Sequence, residues 1–387
     1  MPILNRVSDM YDEIAFWRRH LHQHPEIGFE VHQTAEFVAR RLEEFGVNEI
    51  HRGVGQTGVV AVIRGRHGDG PAIALRADMD ALPIVEAGGQ PHASTIEGAM
   101  HACGHDGHTA MLLGAAKYLA ETRNFKGNVV LVFQPAEEIG SGARAMIEDG
   151  LFDRFGISHV YGMHNMPGIP VGDIALKRGA IMAASAKFTI RIHGRGGHAA
   201  RPHTTIDPIV VGAQIVGALQ TIVSRTVDPI APAVVTVTRF AGGTADNIIP
   251  EAIELWGTAR ALSMADARHI EERVTAIATK TAEAAGARVE VDYNQSIPVT
   301  ENDTDEAAFC TRIAREVVGD ARVDAETVPV MAGEDFSHML DRRPGTLVFL
   351  GNGASAGLHH PAYDFSDEAI PAGVSYWIRL VEGKLSP

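Results

Sequence analysis

Cysteine is scarce in this chain. Its 387 residues hold two, Cys103 and Cys310, which excludes a disulfide-stapled scaffold and points to a reducing, cytoplasmic compartment. Basic charge is in deficit as well. Lys and Arg number 34 against 48 Asp and Glu, a formal net charge of −14, so no nucleic-acid partner is expected, because phosphate binding needs a basic face. The acidic excess itself reads as solubility. Long apolar runs are missing too. Nothing approaches the roughly 18 apolar residues of a membrane span, and the opening MPILNRVSDMYDEIAFWRRH is broken by charge too early for a signal peptide. No repeat or low-complexity tract occurs. What remains is an ordinary globular composition, 45% hydrophobic and 21% charged, in a chain long enough for two domains.

Apolar positions at helical spacing predict helices over 8–24 and 32–45. Short buried-strand patterns follow at 59–63, 72–78, 129–133 and 159–164, with a helix over 109–121 between the second and third. Strands alternating with helices predict an α/β domain whose mostly parallel sheet carries helices on both faces. In such sheets functional groups collect at the carboxyl ends of strands. The polar clusters ADMDALP, QPAEE and HN each fall at such an end. The middle of the chain changes character. Strands at 187–194, 234–240, 252–260 and 288–293 enclose one helix capped by Asp207 with Pro208 at its first position, and a second over about 264–285. This strand–helix–strand–strand–helix–strand order predicts a ferredoxin-like unit, a four-stranded sheet with two helices on one face. Strand and helix patterns of the first type resume at 304–318, 346–352 and 366–384. The expected organisation is therefore a discontinuous catalytic domain, 1–183 and 295–387, holding an inserted lid over 184–294.

The densest chemical cluster is MHACGHDGH at 100–108. Cys103 and His105 stand two apart, a spacing at which thiolate and imidazole reach one metal ion from an extended or looped segment. A thiolate donor selects Zn²⁺ or another transition metal over Mg²⁺ or Ca²⁺. At QPAEE, Glu137 and Glu138 end a buried strand. Outside a helix adjacent side chains diverge, so one carboxylate can ligate while the other moves protons. His164 in GMHN, and His359 or His360 in LHHP, supply further nitrogen donors. Asp78 and Asp80 can bind metal or orient a ligating histidine. Singly, each of these residues reads as core or surface; together they read as a metal centre.

These motifs, with RRHLHQHPEIGFE (18–30), VFQPAEEIGSGARAMIEDG (132–150), GRGGHAARPHTTIDPI (194–209), GGTADNIIPE (242–251), AGEDFSHML (332–340) and LHHPAYDF (358–365), resemble the hippurate hydrolase and auxin-conjugate hydrolase family. That family is a branch of the aminoacylase and carboxypeptidase superfamily of two-metal amidohydrolases. The resemblance spans nearly the whole chain. It implies Cys103, His105, Glu138, His164 and His359 as ligands to two divalent transition-metal ions, Mn or Zn first and Co or Ni after them, with Glu137 as general base. His359 fits the family pattern of leucine, histidine, any residue, proline better than His360. It also implies a homodimer made by the lid, with His198 holding the substrate carbonyl in the partner's site and Asn247 beside it.

The expected reaction is hydrolysis of the amide bond of a small N-acyl amino acid to a carboxylic acid and a free amino acid. Arg260 is a candidate for the substrate carboxylate. Rival readings are a deacetylase of N-acetyl-diaminopimelate or N-acetyl-cysteine type, a dipeptidase, and a non-catalytic binder of acyl amino acids. Elsewhere the residues read as structural: His20, His22 and His24 as the packed end of the first helix, Cys310 as core, and the glycines at 65–70 as a loop.

Overall fold

The computed structural model describes residues 4–387, which divide into two units. The first comprises residues up to 181 with 301–328 and 335–387; the second comprises 182–300 and 329–334. The inserted segment thus ends six residues later than the sequence pattern placed it. Strand Arg288–Ile297 runs on, pairing Gln295 with Ala186 and Ile297 with Ser185. Residues 329–334 join it through a bridge from Val330 to Met182 and a bond from Ala183 N to Ala332 O.

The first unit is built on an eight-stranded sheet ordered Glu49–Val54, Gly58–Arg64, Asn128–Gln134, Ala72–Asp78, Ile157–Met166, Gly345–Gly351, Ile174–Ala175, Val323–Asp324. Its central strands are parallel, while Gly58–Arg64 runs antiparallel to both of its neighbours. Strand Glu49–Val54 escapes sequence reading because EIHRGV is mostly polar and sits on the open edge. Because side chains alternate across a sheet, Val59, Ala61, Ile63, Ile73, Leu75, Val129, Leu131 and Phe133 join one large core. Val60, Val62, Ala74, Val130 and Val132 point the other way and are buried as well. Both faces are covered, which is why these strands read as continuous apolar runs.

Helix His105–Thr122 packs on one face with Tyr11–Gln23, His32–Glu44 and Ile370–Lys384 around it. It starts four residues earlier than its apolar pattern suggests. Gly104, at φ 86, turns the chain into it, and His105 and Asp106 therefore belong to its first turn. The expected first helix is two, Asn5–Asp9 and Tyr11–Gln23.

In the second unit the antiparallel sheet runs Ala233–Ala241, Ala252–Ala261, Ala184–His193, Arg288–Ile297. Strand Ala252–Ala261 alternates buried and half-buried residues without interruption, the mark of a sheet covered on one face. Helices Pro208–Thr226 and Met264–Ala284 supply the cover, with Ile215, Leu219, Ile222, Ile270 and Val274 buried. Asp207 caps the first of them by accepting from Ile209 N at 2.9 Å. That helix, 19 residues long, is by length and composition apolar enough to cross a membrane, contrary to the expectation that no segment reaches this threshold. Its inward face is core, but Ile209 and Val210 are 38% and 53% exposed.

Candidate active site

Strand ends and the loops after them bring the sequence-flagged donors of the first unit together. Asp78 ends one parallel strand, Glu137 and Glu138 follow Gln134 on the next, and His164 stands near the end of a third. Potential ligand atoms of Cys103, His105 and His164 lie within 4.8 Å of one another, as do those of Cys103, Glu138 and His359, and those of His105, Glu137 and Glu138. The three groups interlock through shared members. His359 Nε2 is 3.4 Å from Glu138 Oε2. His360 instead turns back on its own loop, accepting from Ala362 N at 3.1 Å, so it is His359 whose nitrogen lies among the candidate donors.

The histidine tautomers are fixed by carbonyls. His164 Nδ1 donates to Asn165 O at 2.6 Å and His105 Nδ1 donates to Asp80 O at 2.8 Å. Each ring therefore presents Nε2 to the cluster, the arrangement a metal-binding imidazole needs. His105 Nε2 and Glu138 Oε1 are buried without a hydrogen-bond partner. Orphaned nitrogen and oxygen atoms facing a buried thiol fit divalent transition-metal cations. Electrostatics agree. Burial, with Glu138 adding to it, pushes the Cys103 thiol well above its ordinary range, and a nearby cation is what makes such a thiol a thiolate. Burial lowers His164 to about 3, leaving the neutral imidazole that ligation requires. For Glu138 burial opposes ionisation, but the His359 hydrogen bond and the His105 charge outweigh it and hold the carboxyl below its usual value.

Asp78 and Asp80 both hydrogen-bond to segments around the donors, and Asp78 also forms, with His105 and His108, a group whose potential ligand atoms lie within 4.8 Å of one another. Asp80 accepts from Glu137 N at 3.0 Å and Glu138 N at 3.1 Å, so one carboxylate pins two consecutive amides. Ala136, at φ 56, makes the turn that aims both amides at it. Toward His105 the Asp80 carbonyl acts, and its carboxylate stands off at 3.6 Å. Asp78 is held by Arg76 Nη1 at 2.8 Å and His108 Nδ1 at 2.6 Å. His108 accepts from Asn165 N through its other nitrogen at 2.8 Å, which spends both ring atoms and separates it from the donor set.

Sequence reasoning overlooked the polar floor beneath the site. Arg76 Nε donates to Gln134 Oε1 at 2.9 Å and Nη2 lies 3.1 Å from Asp335 Oδ1, all three residues buried. Asp335 also accepts from Gln134 Nε2 at 2.7 Å and Ala143 N at 2.9 Å, and its own amide donates to Glu137 Oε1 at 3.4 Å. An arginine inside the apolar run AIALRAD was the available signal, since a buried guanidinium requires carboxylate partners. Asn165 and Tyr363 were also missed. Tyr363 Oη donates to Asn165 Oδ1 at 2.6 Å, and Asn165 Nδ2 donates to Cys103 O at 2.5 Å. A Cβ on Gly104 would strike both of these side chains, so glycine is required there by space as well as by φ.

The remaining predicted site residues belong to the second unit. His198 is exposed on the short strand Gly197–His198, paired with Ile248–Ile249. Its Nδ1 accepts from Ala200 N at 3.1 Å. Asn247 is drawn beside it, its carbonyl accepting from Ala199 N at 3.0 Å. Arg260 is half-buried. Its Nη1 donates to Thr258 Oγ1 at 2.6 Å and Ala259 O at 3.1 Å, so part of the guanidinium is spent within its own sheet.

A parallel-sheet unit presenting one thiol, three imidazoles and paired carboxylates at its strand ends defines a two-metal hydrolase. The chain belongs to the Peptidase family M20/M25/M40, whose description matches residues 74–383. It is 41% identical over 380 residues to a hippurate hydrolase of Campylobacter jejuni, covering 98% of each chain. It is 43% identical to an N-acetyl-L-cysteine deacetylase of Bacillus subtilis, over 94% of this chain and 86% of that one. Among solved structures it is similar to a dinuclear metal-binding peptidase of the M20 family from Bacillus subtilis. The TM-score is 0.85 at 37% identity, with 98% and 99% of the two chains covered.

Proposed function

We propose that this protein hydrolyses the amide bond of small N-acyl amino acids, with Cys103, His105, Glu138, His164 and His359 holding two divalent transition-metal ions and Glu137 serving as the base. Relatives named for hippurate, N-acetylcysteine and IAA-amino acid substrates support this class. When bound, the cations polarise the scissile carbonyl and acidify water beside it. The chain's own residues carry the protons. Glu137 takes one from the attacking water and delivers it to the leaving nitrogen, so that water adds across the C–N bond and yields a carboxylic acid and an amino acid. Asp80 fixes Glu137 and Glu138 by their amides, so that one site holds a ligand and a base side by side.

The observation that carries the reading is the division of labour in this pair. Glu138 has an unpartnered buried oxygen among Cys103, His105 and His359, whereas Glu137 rests against the Asp335 amide. A protein that only bound acyl amino acids has no use for the second carboxylate. The test is release of free amine, detected with ortho-phthalaldehyde, across N-benzoyl, N-acetyl and indole-acetyl amino acids. Turnover of aryl-acyl substrates above N-acetylcysteine supports a hippurate-type enzyme, the reverse order a deacetylase. No release from any member of the panel by metal-loaded protein refutes the reading.

The second unit we take to be a ferredoxin-like lid that also makes a homodimer. The exposed apolar face of helix Pro208–Thr226 supports this, as does its neighbouring edge strand Ala233–Ala241, where Phe240 is 42% exposed. His198 of the partner subunit, with Asn247 near it, would then hold the substrate carbonyl, and Arg260 with backbone amides the carboxylate. Mn or Zn is our first choice of metal. Two buried free thiols suit the cytoplasm.

A further inference from the structure

Nothing in the proposed reaction uses helix Tyr11–Gln23, yet its Arg18 is wholly buried. The guanidinium lies between two segments far apart in sequence. Nε is 3.0 Å from Asp106 Oδ2, and Nη2 donates to Asp364 Oδ1. Nη1 reaches His92 Nε2 at 2.8 Å and stands 3.7 Å from Asp367 Oδ1. Asp106 is buried too, and it also accepts from His22 Nδ1 at 2.8 Å. The two carboxylates gripped by Arg18 are not arbitrary. Asp106 directly follows the donor His105, and Asp364 closes the loop that His359 opens.

That loop needs holding. His359 is a non-glycine residue at φ 63, a left-handed conformation that persists only where its surroundings over-determine it. Ala87 N donates to Pro361 O at 2.8 Å and Asn352 Nδ2 to Asp364 O at 3.0 Å, and three further ties lead toward the donor segments. His359 N donates to Ala102 O at 2.8 Å, Tyr363 Oη donates to Asn165 at 2.6 Å, and Arg18 grips Asp364. The first two reach the neighbours of Cys103 and His164. The third reaches across to Asp106, and so couples the His359 loop to the start of the His105 helix. Buried ion pairs add little net stability once their desolvation is counted. Their best-attested use is to fix registry, and here the registry is that of metal donors.

We propose that Arg18 is a positioning residue for the metal centre: by joining Asp106 to Asp364 it holds His359 against Cys103 and Glu138, and thereby sets the affinity for the cation those three share. The inference rests on the two-metal reading above.

The experiment compares wild type, Asp364→Asn and Arg18→Lys as full-length metal-free proteins, titrated with Mn²⁺ by calorimetry and melted without metal. Asp364→Asn removes one end of the link and leaves Arg18, Asp106 and His22 in place. One of two binding steps is expected to weaken by about 10–100-fold, the range seen when groups behind metal ligands are lost, while the other stays within about threefold. Arg18→Lys, which keeps the charge but not the fork, should weaken the same step. Asp364 Oδ1 also meets His92 Nε2 at 3.1 Å, so if Arg18→Lys fails to fold, His92→Ala is its companion: wild-type binding there leaves the Asp364→Asn loss to Arg18, and an equal loss there overturns the proposal. Glu86→Gln, which touches His22 at 3.2 Å on its far side, should bind both ions as wild type does. A contact with only a structural role would lower the metal-free melting point and leave both binding steps unchanged, and that result overturns the proposal. Equal weakening of both steps, or an equal loss in Glu86→Gln, overturns it as general loosening. Wild type binding fewer than two ions refutes the two-metal reading itself, whereas two ions with unaltered Asp364→Asn refutes this inference alone.

Discussion

Glu137 and Glu138 are chemically identical neighbours in different surroundings, and different work is proposed for each. Replacing Glu138 by Gln removes the charge that pairs with His359 Nε2 at 3.4 Å. Metal binding should weaken, with activity partly restored by excess metal. Replacing Glu137 by Gln keeps its size and its contact with the Asp335 amide but takes away the proton acceptor. Turnover should fall by about 10⁴-fold, the upper end for a general acid–base group, because the role proposed for the residue covers both proton transfers. Substrate affinity and metal content should stay near wild type. Turnover, metal analysis and substrate titration on both variants separate the roles; metal loss in Glu137→Gln alone would reverse them. At this scale the sequence exposed the candidate donors, because Cys103, His105 and the glutamates crowd into short motifs. It hid their supports. Arg76 and Asp335 are 259 positions apart, and no local pattern announces that an arginine within AIALRAD faces an aspartate in AGEDF.

Among the elements, helix Tyr11–Gln23 was readable from its apolar spacing, but the role of its buried polar face was not. His22 looked like part of a packed helix end. The structure seals it between Asp106 and Glu86, at 2.8 and 3.2 Å. Burial alone would lower its pKa, yet hydrogen bonds to Asp106 and Glu86 and the Asp106 charge raise it from 6.5 to about 9. A raised folded-state value means that the charged imidazolium favours folding. The contribution is full below about pH 6.5 and is lost as pH climbs through about 9. Urea unfolding at a series of pH values should show stability declining across that window by an amount on the order of 3 kcal/mol. In His22→Gln the decline should flatten. An unchanged slope in the variant would mean that another group titrates there. Strand Glu49–Val54 teaches the complementary lesson. Exposed at the sheet edge, it needs no apolar side chains, and a sequence pattern built on burial passes over it.

For the whole molecule, a metal centre assembled from several loops should also be a staple. Chelation should abolish turnover and lower stability by about 2.7 kcal/mol per ion for cations present at a hundredfold over their dissociation constant. Thermal melts with and without chelator, followed by Mn²⁺ or Zn²⁺ addition, measure this, and an unaltered melt would show that the donors stand ready without metal. For the proposed dimer, Val210→Glu combined with Phe240→Glu should give a monomer by light scattering. His198→Ala should lose turnover while keeping its metal. Mixed with Glu137→Gln under subunit exchange, it should regain part of the activity if the site is shared between subunits. The alternation of elements made the two-part organisation legible in the sequence. The junctions were less so, since residues 329–334 add to the second unit without any compositional change.

The order in which donors occur along the chain has a consequence for biosynthesis. Cys103, His105, Glu138 and His164 all precede the inserted segment, and His359 follows it, about two hundred residues after His164. The strand Gly345–Gly351, which fills the central place beside Ile157–Met166, is equally late. A ribosome therefore releases four of the five proposed donors, and an apolar strand with an unpaired edge, well before the pieces that complete them. Until Gly345–Gly351 and His359 emerge, the nascent chain offers a hydrophobic template to other chains and a thiol lacking its full complement of neighbours. Shielding by a chaperone would matter most in the interval between the emergence of His164 and that of His359.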